Sequence, residues 1–194
     1  MKIVFATKNK GKVNEVVKIF NTDKIELVTM EQAGIDIDVV EDGTTFEENA
    51  EKKAVEIMKA SGEAAIADDS GLEIDFLDKQ PGIHSARFLG HDTPYSIKNA
   101  KILDMLKDVP EEKRTARFVC AVCLALPDGR IIRSKGTLEG RIGNKITGEN
   151  GFGYDSLFFS PEKGCTFAEL ETVEKKKISH RAKALAVLKS KLSV

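Results

Sequence analysis

At 194 residues, with 41% hydrophobic and 31% charged content, the chain has the makeup of one ordinary globular domain, or of two lobes sharing a sheet. Thirty basic against thirty-one acidic residues leave a formal charge of -1, which argues against a strongly basic nucleic-acid binder. No apolar run reaches the ~18 residues of a membrane span, so no membrane partner is expected. The amino terminus also lacks a signal-peptide h-region. Cys120 and Cys123 lie inside an apolar run and Cys165 stands apart. Buried free thiols are therefore expected rather than a zinc pair or a disulfide, and the cytosol is the consistent compartment.

Residues Lys2 to Ala6 read as a first strand. Val13, Val16, Val17 and Phe20 share one helical face, so Lys12 to Phe20 is expected to be a helix packed on the sheet. Between them, Thr7-Lys8-Asn9-Lys10-Gly11-Lys12 is a basic strand-to-helix turn. Free backbone N–H groups beside lysines suit a phosphate, and a solvated lysine-rich turn is the plainer account. The pattern is not GxxxxGK[ST], so this is not a Walker loop.

Ile25 to Val28 reads as a second strand, followed by an acidic loop from Asp36 to Gly43 with a short strand at Ile37 to Val40. Thr45 is placed to cap a helix, with Glu48 at N3 completing a capping box. Phe46, Ala50, Ala54 and Ile57 form the buried stripe, while Asn49 and Lys53 share another face. Two roles stand open for Glu48, helix cap and metal ligand.

Next comes the stretch that gives the chain its chemical character, Ala67-Asp68-Asp69-Ser70-Gly71. It follows apolar Ala64-Ala65-Ile66 and precedes alternating Leu72-Glu73-Ile74-Asp75-Phe76, which suggests a buried strand turning sharply at Gly71 into another. Adjacent carboxylates are costly to bury without positive partners. Mg²⁺, which takes carboxylate oxygens and leaves room for phosphate and water, is a suitable one.

Pro81-Gly82 marks a turn. Behind it, Arg87 either reaches a phosphate or pairs with an acidic neighbour. Pro94 is expected at N1 of a helix running to about Lys107, with Ile102, Leu103 and Leu106 inward. Arg117 to Leu126 and Arg130 to Leu138 flank Pro127-Asp128-Gly129, a hairpin expected to form a protruding lobe or a sheet edge. In Gly148-Glu149-Asn150-Gly151-Phe152-Gly153-Tyr154-Asp155 the glycines permit a tight path close to a ligand. Phe152 and Tyr154 offer aromatic faces to a planar base, and Asp155 offers acceptors to ring N–H groups. Ser179 is the expected cap of a last helix with Ala182, Leu185, Ala186 and Leu192 inward. His180 and Arg181 add positive charge to its positive end, after Lys175, Lys176 and Lys177. An anionic ligand or a nearby acidic side chain would account for that. The expected fold is a mixed α/β sheet flanked by helices, residues 1–194 forming one domain that opens between two lobes.

The ordered set of motifs resembles the inosine triphosphate pyrophosphatase family over nearly the whole chain. It comprises Thr7-Lys8-Asn9-Lys10-Gly11-Lys12, Phe46-Glu47-Glu48-Asn49-Ala50 through Lys53-Ala54, and Ala67-Asp68-Asp69-Ser70-Gly71-Leu72. Pro81-Gly82 with Ser85-Ala86-Arg87-Phe88, Gly151-Phe152-Gly153-Tyr154-Asp155 and Ser179-His180-Arg181-Ala182 complete it. The chain departs from the family pattern at Ser156, at Asp78-Lys79-Gln80, at Ile146-Thr147 and at Glu174-Lys175-Lys176-Lys177.

The resemblance implies hydrolysis of ITP, XTP and their deoxy forms to monophosphate and pyrophosphate by a Mg²⁺-dependent, homodimeric enzyme. Carried over by motif, Glu48, Asp69 and Asp68 are the metal candidates, and either Asp would orient or deprotonate the attacking water. Lys12, Lys53, Lys175 and Arg87 would neutralise the triphosphate, with Thr7, Asn9 and Ser70 beside it in the phosphate-binding motifs. Phe152, Tyr154, Asp155, His180 and Arg181 would shape the purine site and read its edge. Two other readings use the same residues: a pyrophosphatase for dUTP or a modified pyrimidine triphosphate, and a nucleotide sensor without turnover.

Overall fold

The computed structural model describes residues 1–20 and 25–192. Its strands are β1 (Lys2–Phe5), β2 (Glu26–Thr29), β3 (Ala64–Ile74), β4 (Thr115–Ala125), β5 (Ile131–Ile142), β6 (Phe158–Ser160) and β7 (Cys165–Thr166). They form a seven-stranded sheet in the order β2-β1-β3-β4-β5-β6-β7. β1 pairs parallel with β2 and with β3, while β6 is antiparallel to β5 and β7. The helices are α1 (Lys10–Phe20), α2 (Phe46–Ser61), α3 (Tyr95–Met105), α4 (Thr172–Ile178) and α5 (His180–Lys191). The fold is the mixed α/β type that the patterns indicate. Among the described residues, no helix is long and apolar enough to cross a membrane.

The chain divides into two compact units. The first comprises Met1–Asp69, Cys120–Gly136 and His180–Val194. Its core joins Ile3, Phe5, Ala64 and Ile66 to Val16 and Phe20 of α1 and to Ala184, Leu185 and Leu188 of α5. The side chains of β3 at positions 64 and 66 therefore face α1 and α5, and those at 65 and 67 face the other way. α2 packs on β1 and buries Phe46, Ala50, Ala54 and Ile57, the stripe read from its periodicity. At Gly136 a Cβ would collide with the carbonyl oxygen of His180 and the backbone nitrogen of Ala184, so glycine is required for α5 to lie this close to β5. The second unit, Ser70–Val119 and Thr137–Ser179, has its own core of Leu72, Ile74, Ile102, Leu106, Phe118, Leu138, Tyr154, Leu157, Phe158 and Phe167.

Several expectations are corrected. The sharp turn at Gly71 does not exist: β3 is one strand of 11 residues through Asp68, Asp69 and Gly71. Leu72 and Ile74 are fully buried, and keeping the backbone extended is what delivers them to the second core. The hairpin at Pro127-Asp128-Gly129 forms, with Leu126 N–H donating to Arg130 O at 2.9 Å. However, β4 and β5 are interior strands, and the sheet edges are β2 and β7. No strand forms over 37–40, and Pro94 flanks α3 at its N-cap position instead of opening its first turn. Along α5 the buried positions are His180, Arg181, Ala184, Leu185 and Leu188, so Ala186 is exposed. Cys120, Cys123 and Cys165 are free thiols, the first two buried as expected.

Candidate active site

β1 ends before β3 does, and that mismatch builds the centre of the first unit. The last β1-side ladder bond runs from Ala6 N–H to Ile66 O at 2.8 Å. Beyond it the chain leaves for α1, so Asp68 O, two residues on, loses its strand partner. Two ammonium groups occupy that carbonyl: Lys53 Nζ at 2.8 Å and Lys12 Nζ at 3.4 Å. The place is the carboxyl end of parallel strands in the order β2-β1-β3, where α1 and α2 cover opposite faces. Such a topological switch point is where open α/β sheets bind ligands.

Because β3 is extended here, Asp68 and Asp69 point to opposite faces. On the α1 and α5 face, the Asp68 carboxylate accepts from Lys12 Nζ at 3.0 Å and Arg181 Nε at 3.2 Å, and Cys120 Sγ stands 3.8 Å away. Arg181 is 2% exposed and also pairs with Glu15. Burial alone would raise the Asp68 pKa, but Lys12, Arg181 and Lys53 outweigh it and hold the carboxyl far below its usual range. Its Oδ1 is buried without a hydrogen bond. The positive start of α5 thus meets acidic side chains, the second of the two explanations its charge allowed.

On the α2 face, Asn49 is fully buried and bridges two elements. Its Nδ2 donates to Asp69 Oδ2 at 3.1 Å, and its Oδ1 accepts from Gly43 N–H at 2.9 Å. One turn further along α2, Lys53 pairs with Glu41 at 2.6 Å. Asp69, 6% exposed, is raised in pKa by burial, and Glu41 adds to the rise; Lys53, Lys12 and the Asn49 bond oppose it without cancelling it. Burial works against the Lys53 ammonium, but Asp69, Glu41 and Asp68 hold it protonated.

The other predicted residues are placed differently. Asn9 Oδ1 accepts from the N–H groups of Gly11 and Lys12 at 2.9 and 3.2 Å. Asn9 therefore caps α1, and those N–H groups, expected to be free for phosphate, are partnered within the protein. Thr7 Oγ1 accepts from Asn9 N–H at 3.2 Å. Glu48 is exposed; its N–H donates to Thr45 Oγ1 at 3.1 Å, as the expected cap requires, and its carboxylate accepts from Thr44 N–H at 2.7 Å and Thr44 Oγ1 at 2.8 Å and is also held by Thr45.

Ser70, Arg87, Phe152, Tyr154, Asp155 and Lys175 belong to the second unit. Ser70 is half-buried in β3, and Arg87 Nε donates to His84 Nδ1 at 3.1 Å. Phe152 is 39% exposed, whereas Tyr154 is a core residue at 4% whose hydroxyl donates to Ser85 O at 2.8 Å. Of the two aromatics expected to face a base, only Phe152 presents its ring to solvent. Lys175 Nζ donates to Asp155 Oδ2 at 2.9 Å and Asn150 O at 3.0 Å.

Sequence reasoning missed Glu41, Glu15 and the bridging role of Asn49. An amide at the fourth position of α2, one turn before Lys53 on the same face, was the available signal for Asn49.

The group balance tests whether a divalent cation fits. Asp68, Asp69, Glu41 and Glu15 face Lys12, Lys53 and Arg181. One carboxylate is in surplus, and the fold disfavours the ionised form of Asp69, which a cation would restore. Among the described residues no group of three His, Cys, Asp or Glu side chains could hold a metal. Mg²⁺ does not require one, since one or two carboxylates with phosphates and water suffice. The residues fit such an ion.

His180, beside Arg181, gives a prediction. Burial first and the Arg181 charge second push its pKa well below the ordinary value, against the pull of Asp68. The unfolded chain takes up that proton below about pH 6.5 and the folded chain does not. This contribution to stability is therefore complete above pH 6.5 and declines as pH falls, by about 1.4 kcal/mol per unit. Urea unfolding between pH 7.5 and 5.5 should show this slope, and His180→Asn should flatten it. An unchanged slope in that variant would refute the assignment.

Fold and site together define a class: an α/β protein whose parallel strands end on paired carboxylates and lysines suited to a phosphate ester and a cation. Residues 3–191 match the model of the Ham1 family. The chain is 55% identical over 196 residues to the dITP/XTP pyrophosphatase of Mannheimia succiniciproducens, with 98% of each covered. It is 52% identical over 193 residues to that of Haemophilus influenzae, again with 98% of each covered. Its fold is similar to that of the Staphylococcus aureus Ham1 protein, with TM-score 0.90 and 39% identity over 100% of this chain and 98% of that one. The chain belongs to the Ham1 family.

Proposed function

We propose that this protein hydrolyses ITP, XTP and their deoxy forms to the nucleoside monophosphate and pyrophosphate. The observation that carries the reading is the buried Asp69 carboxylate, raised in pKa at the end of the parallel strands, with two lysines acting on it. The names of the relatives, dITP/XTP pyrophosphatases, support the substrate class. Water adds to the α-phosphorus, the bond to the bridging oxygen breaks, and pyrophosphate leaves with that electron pair.

Asp69, as the carboxylate, orients the attacking water and takes its proton. Lys12 and Lys53 neutralise charge growing on the phosphate oxygens. Mg²⁺ would be held by Asp69 and Glu41, which act on the same Lys53 ammonium. Asp68 is committed to Lys12 and Arg181, and Glu48 to Thr44, so the geometry shifts the proposal away from them. When bound, Mg²⁺ supplies Lewis-acid polarisation of phosphate oxygens and acidifies water.

For base recognition, the exposed Phe152 ring offers a stacking face. Asp155 offers an acceptor to the N1–H that an oxo-purine has and adenine lacks. We further assign a homodimer, to be read by light scattering, and a reducing, cytosolic setting in keeping with three free thiols.

The deciding experiment is product analysis from ITP, XTP, GTP, ATP and dUTP, with Mg²⁺ and then with chelator. Monophosphate plus pyrophosphate, formed fastest from ITP or XTP and abolished by chelation, is the expected result. Orthophosphate would refute the bond assignment, and preference for dUTP would refute the base assignment.

A further inference from the structure

Two adjacent side chains of α3 hold two different loops of the second unit, and the proposed reaction uses neither. Lys98 is 1% exposed and Asn99 4%. Groups this polar are buried at a cost unless they bind something. Lys98 Nζ donates to Ala86 O at 2.6 Å and lies 4.9 Å from the centre of the Tyr95 ring. Ala86 immediately precedes Arg87. Asn99 Nδ2 donates to Gly153 O and to Ser156 Oγ, each at 3.2 Å, and so grips the chain on both sides of Tyr154-Asp155. Tyr154 joins the same two loops directly, through its hydroxyl to Ser85 O, and its ring packs edge-on to Tyr95 of α3 at 5.1 Å.

We propose that Lys98 and Asn99 are positioning residues with separable effects: Lys98 sets the segment bearing Arg87, and Asn99 sets the glycine-rich loop bearing Phe152 and Asp155. The proposal rests on the base recognition assigned above to Phe152 and Asp155, and on the phosphate role that the family resemblance implies for Arg87. Arg87 serves a phosphate that every nucleotide has, so loosening it should weaken all substrates alike. Phe152 and Asp155 serve the base, so loosening them should erode discrimination.

The test is steady-state kinetics on ITP and ATP for Lys98→Met, Lys98→Arg and Asn99→Ser, each checked for folding by circular dichroism. Lys98→Met should lower kcat/KM about 10-fold to 100-fold for both nucleotides, and Lys98→Arg, which keeps a donor, should recover most of it. Asn99→Ser should raise KM for ITP and cut the ITP-to-ATP ratio of kcat/KM about tenfold. Lys98→Gln replaces Lys98→Met if the latter does not fold. Unchanged kinetics, or one shared signature following thermal stability, would overturn the proposal.

Hydrogen exchange separates this from failure of the functional reading itself. If the wild type shows no preference for ITP, that reading fails. The clamp still predicts faster exchange over 82–89 only in Lys98→Met and over 150–156 only in Asn99→Ser. Equal changes in both segments for both variants would overturn it.

Discussion

Asp69→Asn should lose most turnover of ITP, about 100-fold to 10,000-fold in kcat, while remaining folded. The replacement is nearly isosteric and keeps an acceptor for the Asn49 amide, which donates to Asp69 Oδ2 at 3.1 Å. It removes a negative charge that the fold resists. The sign follows from linkage. A carboxyl raised in the folded state binds its proton more readily there than in the unfolded chain. Its contribution therefore favours folding at acid pH and is lost as pH rises through the folded value. Removing the charge should leave the thermal midpoint at pH 7 unchanged or higher, even as activity falls. The check is kcat beside a melting curve, and a folded variant with wild-type turnover would refute the role of Asp69.

Asp68→Ala should act in the opposite sense, mainly on stability. Asp68 and Arg181 are each 2% exposed and pair at 3.2 Å, with Lys12 at 3.0 Å from the same carboxylate. Removing the carboxylate leaves a guanidinium in the core with Glu15 as its remaining named acidic partner. Breaking a buried pair from one side costs about 3–5 kcal/mol. For a chain of this length that is a fall in Tm of roughly 6–20 °C. The pair's net value is smaller than that, so Asp68→Leu combined with Arg181→Met should recover part of the loss. Urea midpoints of the single and double variants decide the matter, and single variants within about 1 kcal/mol of wild type would contradict it. The pH dependence agrees in sign. A depressed folded pKa means the Asp68 contribution is complete above the unfolded carboxyl value near 4 and is lost only in stronger acid.

The parts of this protein that the sequence determined by itself are those encoded over a few residues. The 3.6-residue stripe Phe46, Ala50, Ala54, Ile57 and the cap at Thr45 placed α2, and Pro127-Asp128-Gly129 placed the hairpin. The same locality made the candidate site legible as a set of residue types: Lys12, Lys53, Asp68 and Asp69 do converge. What they converge on was decided by tertiary structure. Ala67 to Gly71 reads as a turn on composition, yet the strand continues because Leu72 and Ile74 belong to a core formed by residues far along the chain. That continuity sends the two aspartates to opposite faces and divides their roles. The inward face of α5 was equally hidden, since Arg181 is buried where Asp68, 113 residues away, and Glu15 receive it. Asn49 and Glu41 enter the site for the same reason. Burying a charge or an amide depends on the partner that topology supplies, and no local pattern names that partner.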